Sequence, residues 1–207
     1  MPVAASPAPP KLGSLRVVVN PLNGPFTLTK HTRVLTLPGR GDSGDKHWQT
    51  FWERACPDFH RVQQAEWDNP KIDAWVEALQ AVIAGSTEPV VLVAHSLSVA
   101  LVAHWAVRYS GPVKGALLVA PSDVEDSTYP PGAEGFAPMP RTPLPFASIV
   151  VASTNDMRVS LARAEQFAAA WGSRLEVPGA YGHLGSLAEL HDWPYGFALL
   201  QELIALP

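Results

Sequence analysis

The chain has 207 residues, a formal net charge of −4, and a composition of 47% hydrophobic and 16% charged residues. A chain of this length fits one domain that buries a sizeable core without disulfides or metal ions. Because Lys and Arg are scattered along the sequence rather than clustered, we expect neither a nucleic acid nor an anionic membrane surface as partner. The single cysteine, Cys56, excludes an intrachain disulfide and favours a cytoplasmic protein.

The N-terminal tract MPVAASPAPPKLGS lacks the basic region and the continuous apolar region of a signal peptide. No apolar run reaches the roughly 18 residues that a membrane span needs, so we expect no membrane span. We predict an N-terminal extension over residues 1–30, which is flexible or adds an edge strand at LRVVVN (15–20). Residues 31–207 are predicted to form a single domain.

From Arg33 onward, strand-like and helix-like segments alternate. Strands are predicted at 33–37, within 61–67, and at 89–95, 115–120, 146–153 and 174–178. Helices are predicted in KHWQTFWERAC with Asp45 as N-cap, in PKIDAWVEALQAVIAG between Pro70 and Gly85, in LSVALVAHWAVRY, in SLARAEQFAAAW before Gly172, and in YGFALLQELIAL. This alternation predicts an α/β fold with a doubly wound, mostly parallel sheet of about six strands and helices on both faces.

Three polar residues follow three different predicted strands. In an open parallel sheet, ligands bind at the carboxyl ends of the strands. Ser96 follows the third strand in VVLVAHSLSVALV, at a strand-to-helix turn that would lift its hydroxyl clear of the sheet. Asp156 follows the fifth strand and His183 follows the sixth. A serine nucleophile needs a histidine base oriented by a carboxylate, and this chain order predicts such a triad.

Each of these residues also has a simpler interpretation. A serine before a helix is a common N-cap, an aspartate is a common turn residue, and a histidine is often a surface residue. The sequence also offers rivals for the carboxylate and the base, namely Asp123, Asp126, Asp192 and His191. These alternatives stay open at the level of the sequence.

The developing oxyanion would need two N–H donors. We expect them to be the backbone N–H groups of Leu97, directly after the serine, and of Arg40, between two glycines in the loop after the first strand. The segment from Pro121 to Pro145 has no regular period, and we predict that it is a lid or pocket wall. An apolar substrate pocket is predicted from Trp48, Trp67, Leu184 and Trp193.

Five tracts carry a family resemblance: LPGRGDSGDKHWQTFWE, QAEWDNPKIDAWV, VAHSLS, STNDM and GHLGS. Together they resemble the small single-domain serine hydrolases related to retinoblastoma-binding protein 9, a branch of the α/β-hydrolase superfamily. The resemblance covers roughly residues 32–205. It implies an α/β-hydrolase fold and a cofactor-free, metal-independent esterase for small acyl substrates. It places the nucleophile at Ser96, the acid at Asp156 and the base at His183.

The turn around Ser96 departs from the usual Gly-x-Ser-x-Gly pattern, because Ala94 and Ser98 stand where the glycines would be. Both residues are small, and we expect the turn to tolerate them. A displacement of Ser96 by some tenths of an ångström would nevertheless lower activity. Two other functions stay open, a non-catalytic protein-binding module on a hydrolase fold and an acyltransferase or amidase. The sequence identifies no protein partner.

Overall fold

The computed structural model describes Leu28 and residues 32–207. The predicted edge strand at 15–20 and nearly all of the predicted extension over residues 1–30 lie outside the described residues. The division into an extension and a single domain over 31–207 therefore stays a prediction. Among the described helices, none is long and apolar enough to cross a membrane.

A six-stranded parallel sheet forms the centre of the described structure. Its strands are β1 (Arg33–Leu37), β2 (Phe59–Arg61), β3 (Val90–His95), β4 (Val113–Val119), β5 (Ala147–Ser153) and β6 (Arg174–Gly179). Their spatial order is β2-β1-β3-β4-β5-β6, and every neighbouring pair is parallel. The order reverses between β1 and β3, so the loops after these two strands meet at the crevice where such sheets bind ligands.

Helices cover both faces of the sheet, which confirms the predicted doubly wound α/β fold. They are α1 (Trp48–Ala55), α2 (Ile72–Ala84), α3 (Leu97–Arg108), α4 (Leu161–Trp171) and α5 (Pro194–Ala205). Helices α2, α3 and α4 pack with one face of the sheet, and α1 and α5 pack with the other. All six residues of β3 are buried, as expected for a strand enclosed by helices on both sides.

Two local predictions were wrong. Strand β2 ends at Arg61, where the predicted strand began, and the tract after it contains a tight turn. Glu66 makes that turn by accepting the N–H groups of Asp68 and Asn69. Helix α1 is capped by the side chain of His47, which accepts the N–H of Gln49, and not by Asp45.

The segment from 121 to 145 contains no helix or strand, as its lack of periodicity predicted. A single isolated β-bridge joins Glu134 to Lys71. The segment is anchored by the buried side chains of Phe136 and Met139, which belong to the same core as α2, α3 and α4. Its first part lies over the carboxyl ends of the strands, next to Ser96.

Candidate active site

Ser96 lies in a strained turn between β3 and α3. Its backbone angles are φ 58° and ψ −122°, a region that residues with a Cβ rarely adopt. The N–H of Ser96 donates to the carbonyl of Val119 on the neighbouring strand at 2.9 Å, which fixes the turn against β4. The surrounding structure thus holds this serine in one orientation above the sheet.

Small residues stand at the three positions where this turn is most crowded. Ala94 and Ser98 are fully buried on either side of Ser96. In the loop after β1, a Cβ added to Gly39 would lie only 2.8 Å from the Cβ of Ser96. Gly39 is therefore required by this close approach, and not by an unusual backbone angle.

The structure brings Ser96, His183 and Asp156 into one hydrogen-bonded chain. The Ser96 Oγ lies 2.7 Å from His183 Nε2, and His183 Nδ1 lies 2.8 and 2.9 Å from the two carboxylate oxygens of Asp156. Because Asp156 can only accept when ionised, Nδ1 carries the proton and Nε2 is left to accept from the serine. The carboxylate is fully enclosed and also accepts the N–H of Arg158 at 2.8 Å.

Ser122 also contacts Ser96, and sequence reasoning missed it. Its hydroxyl lies 3.0 Å from the Ser96 Oγ, and its side chain is buried. Since the Ser96 proton is directed to His183, Ser122 is placed to donate to the Ser96 oxygen. Ser122 follows β4 as Ser96 follows β3, so the rule that ligands bind at strand ends could have identified it.

Two buried histidines lie behind His183. The Nε2 of His95 donates to the carbonyl of His183 at 2.9 Å, which helps to hold the loop that carries the base. Burial holds the pKa of His95 well below its usual range. Burial also lowers the pKa of His47 to about 3, with the positive charge of Arg61 acting in the same direction. Both rings are therefore neutral near pH 7 and add no charge to the site.

The two predicted oxyanion donors lie on the loops that flank Ser96. Leu97 is the first residue of α3, so its N–H has no acceptor within the helix. Arg40 directly follows Gly39, the residue that approaches the serine most closely. These positions are compatible with two N–H groups that donate to the oxyanion formed when Ser96 Oγ bonds to a carbonyl carbon.

A cleft of about 180 Å³ opens beside the serine. Its lining residues are Arg40, Ser96, Ser122, Tyr129, Pro130, Arg158 and His183. Pockets for drug-sized ligands commonly measure roughly 300–1,000 Å³, so this cleft suits a small group. Most of its lining residues have polar side chains, but polar and apolar atoms contribute about equally to its surface, so it is not the apolar pocket predicted from the sequence.

The structure places the four predicted pocket residues elsewhere. Trp48, Leu184 and Trp193 are buried in the core between the sheet and helices α1 and α5, where the Trp48 indole donates to the carbonyl of Leu184 at 2.8 Å. Trp67 packs edge-on against Trp75 at the other face. Burial of large apolar side chains is worth more than exposure to a ligand cleft, which explains why Trp48, Leu184 and Trp193 joined the core, whereas Trp67 stays half-buried against it.

Three of the other candidates for the carboxylate and the base make contacts away from Ser96. Asp123 forms an ion pair with Arg163, Asp126 accepts from Thr128, and His191 is an exposed residue whose ring contacts Phe51. Within residues 32–207, no cluster of three or more His, Cys, Asp or Glu side chains is arranged to hold a metal ion. Among the candidates weighed from the sequence, the chain through Asp156 and His183 is the one that reaches Ser96.

Comparison with known proteins identifies this chain as similar to hydrolases. The family described as serine hydrolase matches residues 34–202. A YdeN-like hydrolase from Pectobacterium atrosepticum is 32% identical, with a TM-score of 0.75 over 86% of this chain and 94% of its own. The ydeN gene product of B. subtilis is 17% identical, with a TM-score of 0.66 over 84% and 100% of the two chains.

A thermophilic esterase from Thermogutta terrifontis is similar in fold, at 16% identity and a TM-score of 0.64 over 83% of this chain and 90% of its own. The search of curated proteins found no match. The solved relatives are α/β hydrolases, so the fold agrees with the α/β-hydrolase architecture expected from the resemblance.

Proposed function

The chain belongs to the serine hydrolase family, and from this premise we propose that it is a carboxylesterase-like enzyme for esters of small acyl groups. In this proposal Ser96 is the nucleophile, His183 is the general base and acid, and Asp156 orients the imidazole. The observation that carries the proposal is the hydrogen-bonded chain from Asp156 through His183 to Ser96, with 2.7 Å between the base and the hydroxyl.

The first step forms the acyl-enzyme. As Ser96 Oγ bonds to the ester carbonyl carbon, its proton passes to His183 Nε2, and the carbonyl oxygen becomes an oxyanion. The bond from that carbon to the alcohol oxygen then breaks, and the proton on His183 passes to the departing alcohol. Asp156 stays ionised throughout and stabilises the imidazolium.

The second step releases the acid. A water molecule loses a proton to His183 as its oxygen attacks the acyl carbon, and the proton returns to Ser96 Oγ when the acyl–serine bond breaks. In both steps we propose that the N–H groups of Leu97 and Arg40 bind the oxyanion. A donor of this kind commonly contributes roughly 10²–10³-fold to the rate.

Two observations favour an enzyme over a binding module. Backbone strain of the kind at Ser96 persists where the surroundings hold it, and it is common at catalytic residues. The base, the acid and the serine are also already within hydrogen-bond distance. A binding surface would need neither feature.

Acyl transfer to another acceptor, or cleavage of an amide, would use the same acyl-enzyme, so it is the second candidate reaction. The closer kinship with retinoblastoma-binding protein 9 and the cytoplasmic location also stay predictions.

Turnover of p-nitrophenyl esters with acyl chains of increasing length tests the proposal. The wild type should hydrolyse short acyl esters fastest, because the cleft is small. Ser96→Ala should reduce kcat by roughly 10³-fold or more. Ser110→Ala, at an exposed serine outside the cleft, is the matched control and should retain the wild-type rate. Equal rates for the wild type and Ser96→Ala would contradict the proposal.

A further inference from the structure

The cleft beside Ser96 carries two arginines in a protein whose overall charge is negative. Six other arginines pair with carboxylates, namely Arg54, Arg61, Arg108, Arg141, Arg163 and Arg174. Within the described part of the chain, no carboxylate pairs with Arg40 or Arg158. Neither guanidinium at the cleft therefore forms an ion pair with a described carboxylate, although Asp123, Asp126 and Asp156 line an adjoining cleft together with Arg158.

Arg158 has a fixed backbone and a free side chain. Its N–H donates to the Asp156 carboxylate at 2.8 Å, and its carbonyl accepts the N–H of Asp123 at 3.0 Å. No hydrogen bond or ion pair holds its guanidinium among residues 32–207, and the residue is exposed at the cleft wall. The site thus presents up to five N–H donors on an anchored residue near Ser96.

Arg40 has a different role in the same cleft. Its guanidinium donates to three neutral acceptors, the carbonyls of Asp68, Pro130 and Pro131, at 2.7, 3.3 and 2.7 Å. These contacts join the loop after β1 to the irregular segment that forms the cleft wall. They hold the charge in place without cancelling it, so Arg40 contributes a fixed positive potential.

The carboxylates near the cleft each have a hydrogen-bond or ion-pair partner, although that of Asp126 is neutral. Asp156 is enclosed against His183, Asp123 pairs with Arg163, and Asp126 accepts from Thr128. Tyr129 lines the same cleft as the two arginines, and both of their charges act on it. Burial outweighs these charges and raises the pKa of Tyr129, so the phenol stays neutral and can donate a hydrogen bond.

We propose that the substrate is a short ester that carries a carboxylate, which Arg158 binds through its guanidinium while the ester carbonyl lies at Ser96. The inference rests on the proposed esterase function and names the substrate class of the same site. A planar guanidinium matches a carboxylate in a two-point hydrogen bond, which makes arginine well suited to this recognition. The fixed charge of Arg40 adds attraction for the same anion.

Matched ester pairs test the inference. The acyl-side pair is the mono-p-nitrophenyl ester of glutaric acid and a neutral ester in which an isopropyl group replaces the free carboxylate. The alcohol-side pair is 4-acetoxybenzoate and the neutral 4-acetoxyacetophenone. For the wild type, we expect kcat/KM to favour the anionic member of at least one pair after correction for spontaneous hydrolysis, and to lose this preference as the salt concentration rises.

Two variants of Arg158 and one control variant test whether the preference for the anionic ester depends on Arg158. Arg158→Gln should lower the ratio of anionic to neutral kcat/KM by roughly tenfold, because a charged hydrogen bond is lost. Arg158→Lys should retain part of the ratio, since it keeps the charge but not the planar donor pair. Arg54→Gln removes a positive charge outside the cleft and should keep the wild-type ratio. A thermal unfolding curve for each variant checks that the fold is intact.

The outcomes separate the inference from the proposed function. Turnover of the neutral esters with no anionic preference, or with a preference that Arg158→Gln leaves unchanged, overturns the inference and leaves the esterase proposal standing. Turnover of none of the four esters by the wild type overturns both. A preference that depends on Arg158 supports both and identifies the side of the ester that carries the anion.

Discussion

The hydroxyl of Ser98 donates to the carbonyl of Pro38 at 2.5 Å. This bond joins the first turn of α3 to the loop after β1, which also contains Gly39 and Arg40. A glycine at position 98, as in the usual Gly-x-Ser-x-Gly turn, could not make it. The departure from the usual pattern therefore adds a contact between the two loops that would form the oxyanion site.

Ser98→Ala and Ser98→Gly should both lower stability and activity. Each removes the donor to the buried Pro38 carbonyl, which costs about 1–3 kcal/mol, and the glycine costs a further ~1 kcal/mol within the helix. We expect kcat on a short neutral ester to fall severalfold, because the loop with Arg40 loses its tie to the helix. Urea unfolding and ester kinetics measure the two effects. An increase in activity for Ser98→Gly would contradict this account of the turn.

Gly39→Ala should lower the activity more than the stability of the protein. The new methyl group would lie 2.8 Å from the Cβ of Ser96, so either the loop or the serine must move. A displacement of this size commonly costs roughly 10²-fold in rate. Gly44→Ala is the matched control, since a Cβ there contacts nothing within 4 Å. If the two variants have equal kcat/KM, the close approach of Gly39 has no bearing on catalysis.

Asp156→Asn should leave the fold intact and reduce kcat by roughly 10³–10⁴-fold. An amide at this position can donate to His183 Nδ1, which favours the tautomer that carries its proton on Nε2 and cannot accept from Ser96. Asp68→Asn, at an exposed aspartate whose side chain is outside the cleft, should retain wild-type kcat. Ester kinetics and circular dichroism measure the outcome. A loss of less than tenfold would exclude Asp156 as the orienting acid.

Stability should fall as the pH drops below about 6.5, because His47 and His95 are neutral and buried in the folded protein. Their folded pKa values are lowered, His47 to about 3, so the unfolded chain binds more protons below its histidine pKa of roughly 6.5. The stabilisation is fully present above this pH and is lost towards pH 3. Each such histidine contributes a slope of up to about 1.4 kcal/mol per pH unit.

His47→Asn isolates one of these contributions. Asparagine keeps a side-chain acceptor for the N-terminus of α1 but does not titrate. Urea unfolding between pH 7 and pH 5 should therefore show a shallower loss of stability for this variant than for the wild type. His60→Asn, at an exposed histidine, should keep the wild-type slope. Identical slopes for all three proteins would contradict the assignment to His47.

The sequence predicted those strands and helices that have a continuous apolar run or a clear capping residue. Continuous apolar runs identified β3 and β5, and Gly172, which takes up the left-handed conformation with φ 69°, marked the end of α4. The short edge strand β2 was misplaced, because its three residues, FHR, carry only one buried side chain. The bounds of a strand are hard to predict when, as in β2, few of its side chains are buried.

The same contrast holds at the site. Ser96, Asp156 and His183 each follow a predicted strand, so a parallel sheet brings them to one edge whatever the loops do. Ser122, directly after β4, could have been found by the same rule. Arg158 lies in the same irregular loop as Asp156, where no period indicates which side chain faces the cleft. The pocket prediction placed large apolar residues at the ligand, whereas the hydrophobic effect drew them into the core.

Fluorophosphonate labelling, followed by mass spectrometry of the labelled peptide, tests the central claim that Ser96 is an activated nucleophile. We expect one adduct per chain at Ser96, with no labelling of Ser96→Ala and greatly slowed labelling of Asp156→Asn. An unlabelled wild type, or an adduct that persists in Ser96→Ala, would contradict this claim.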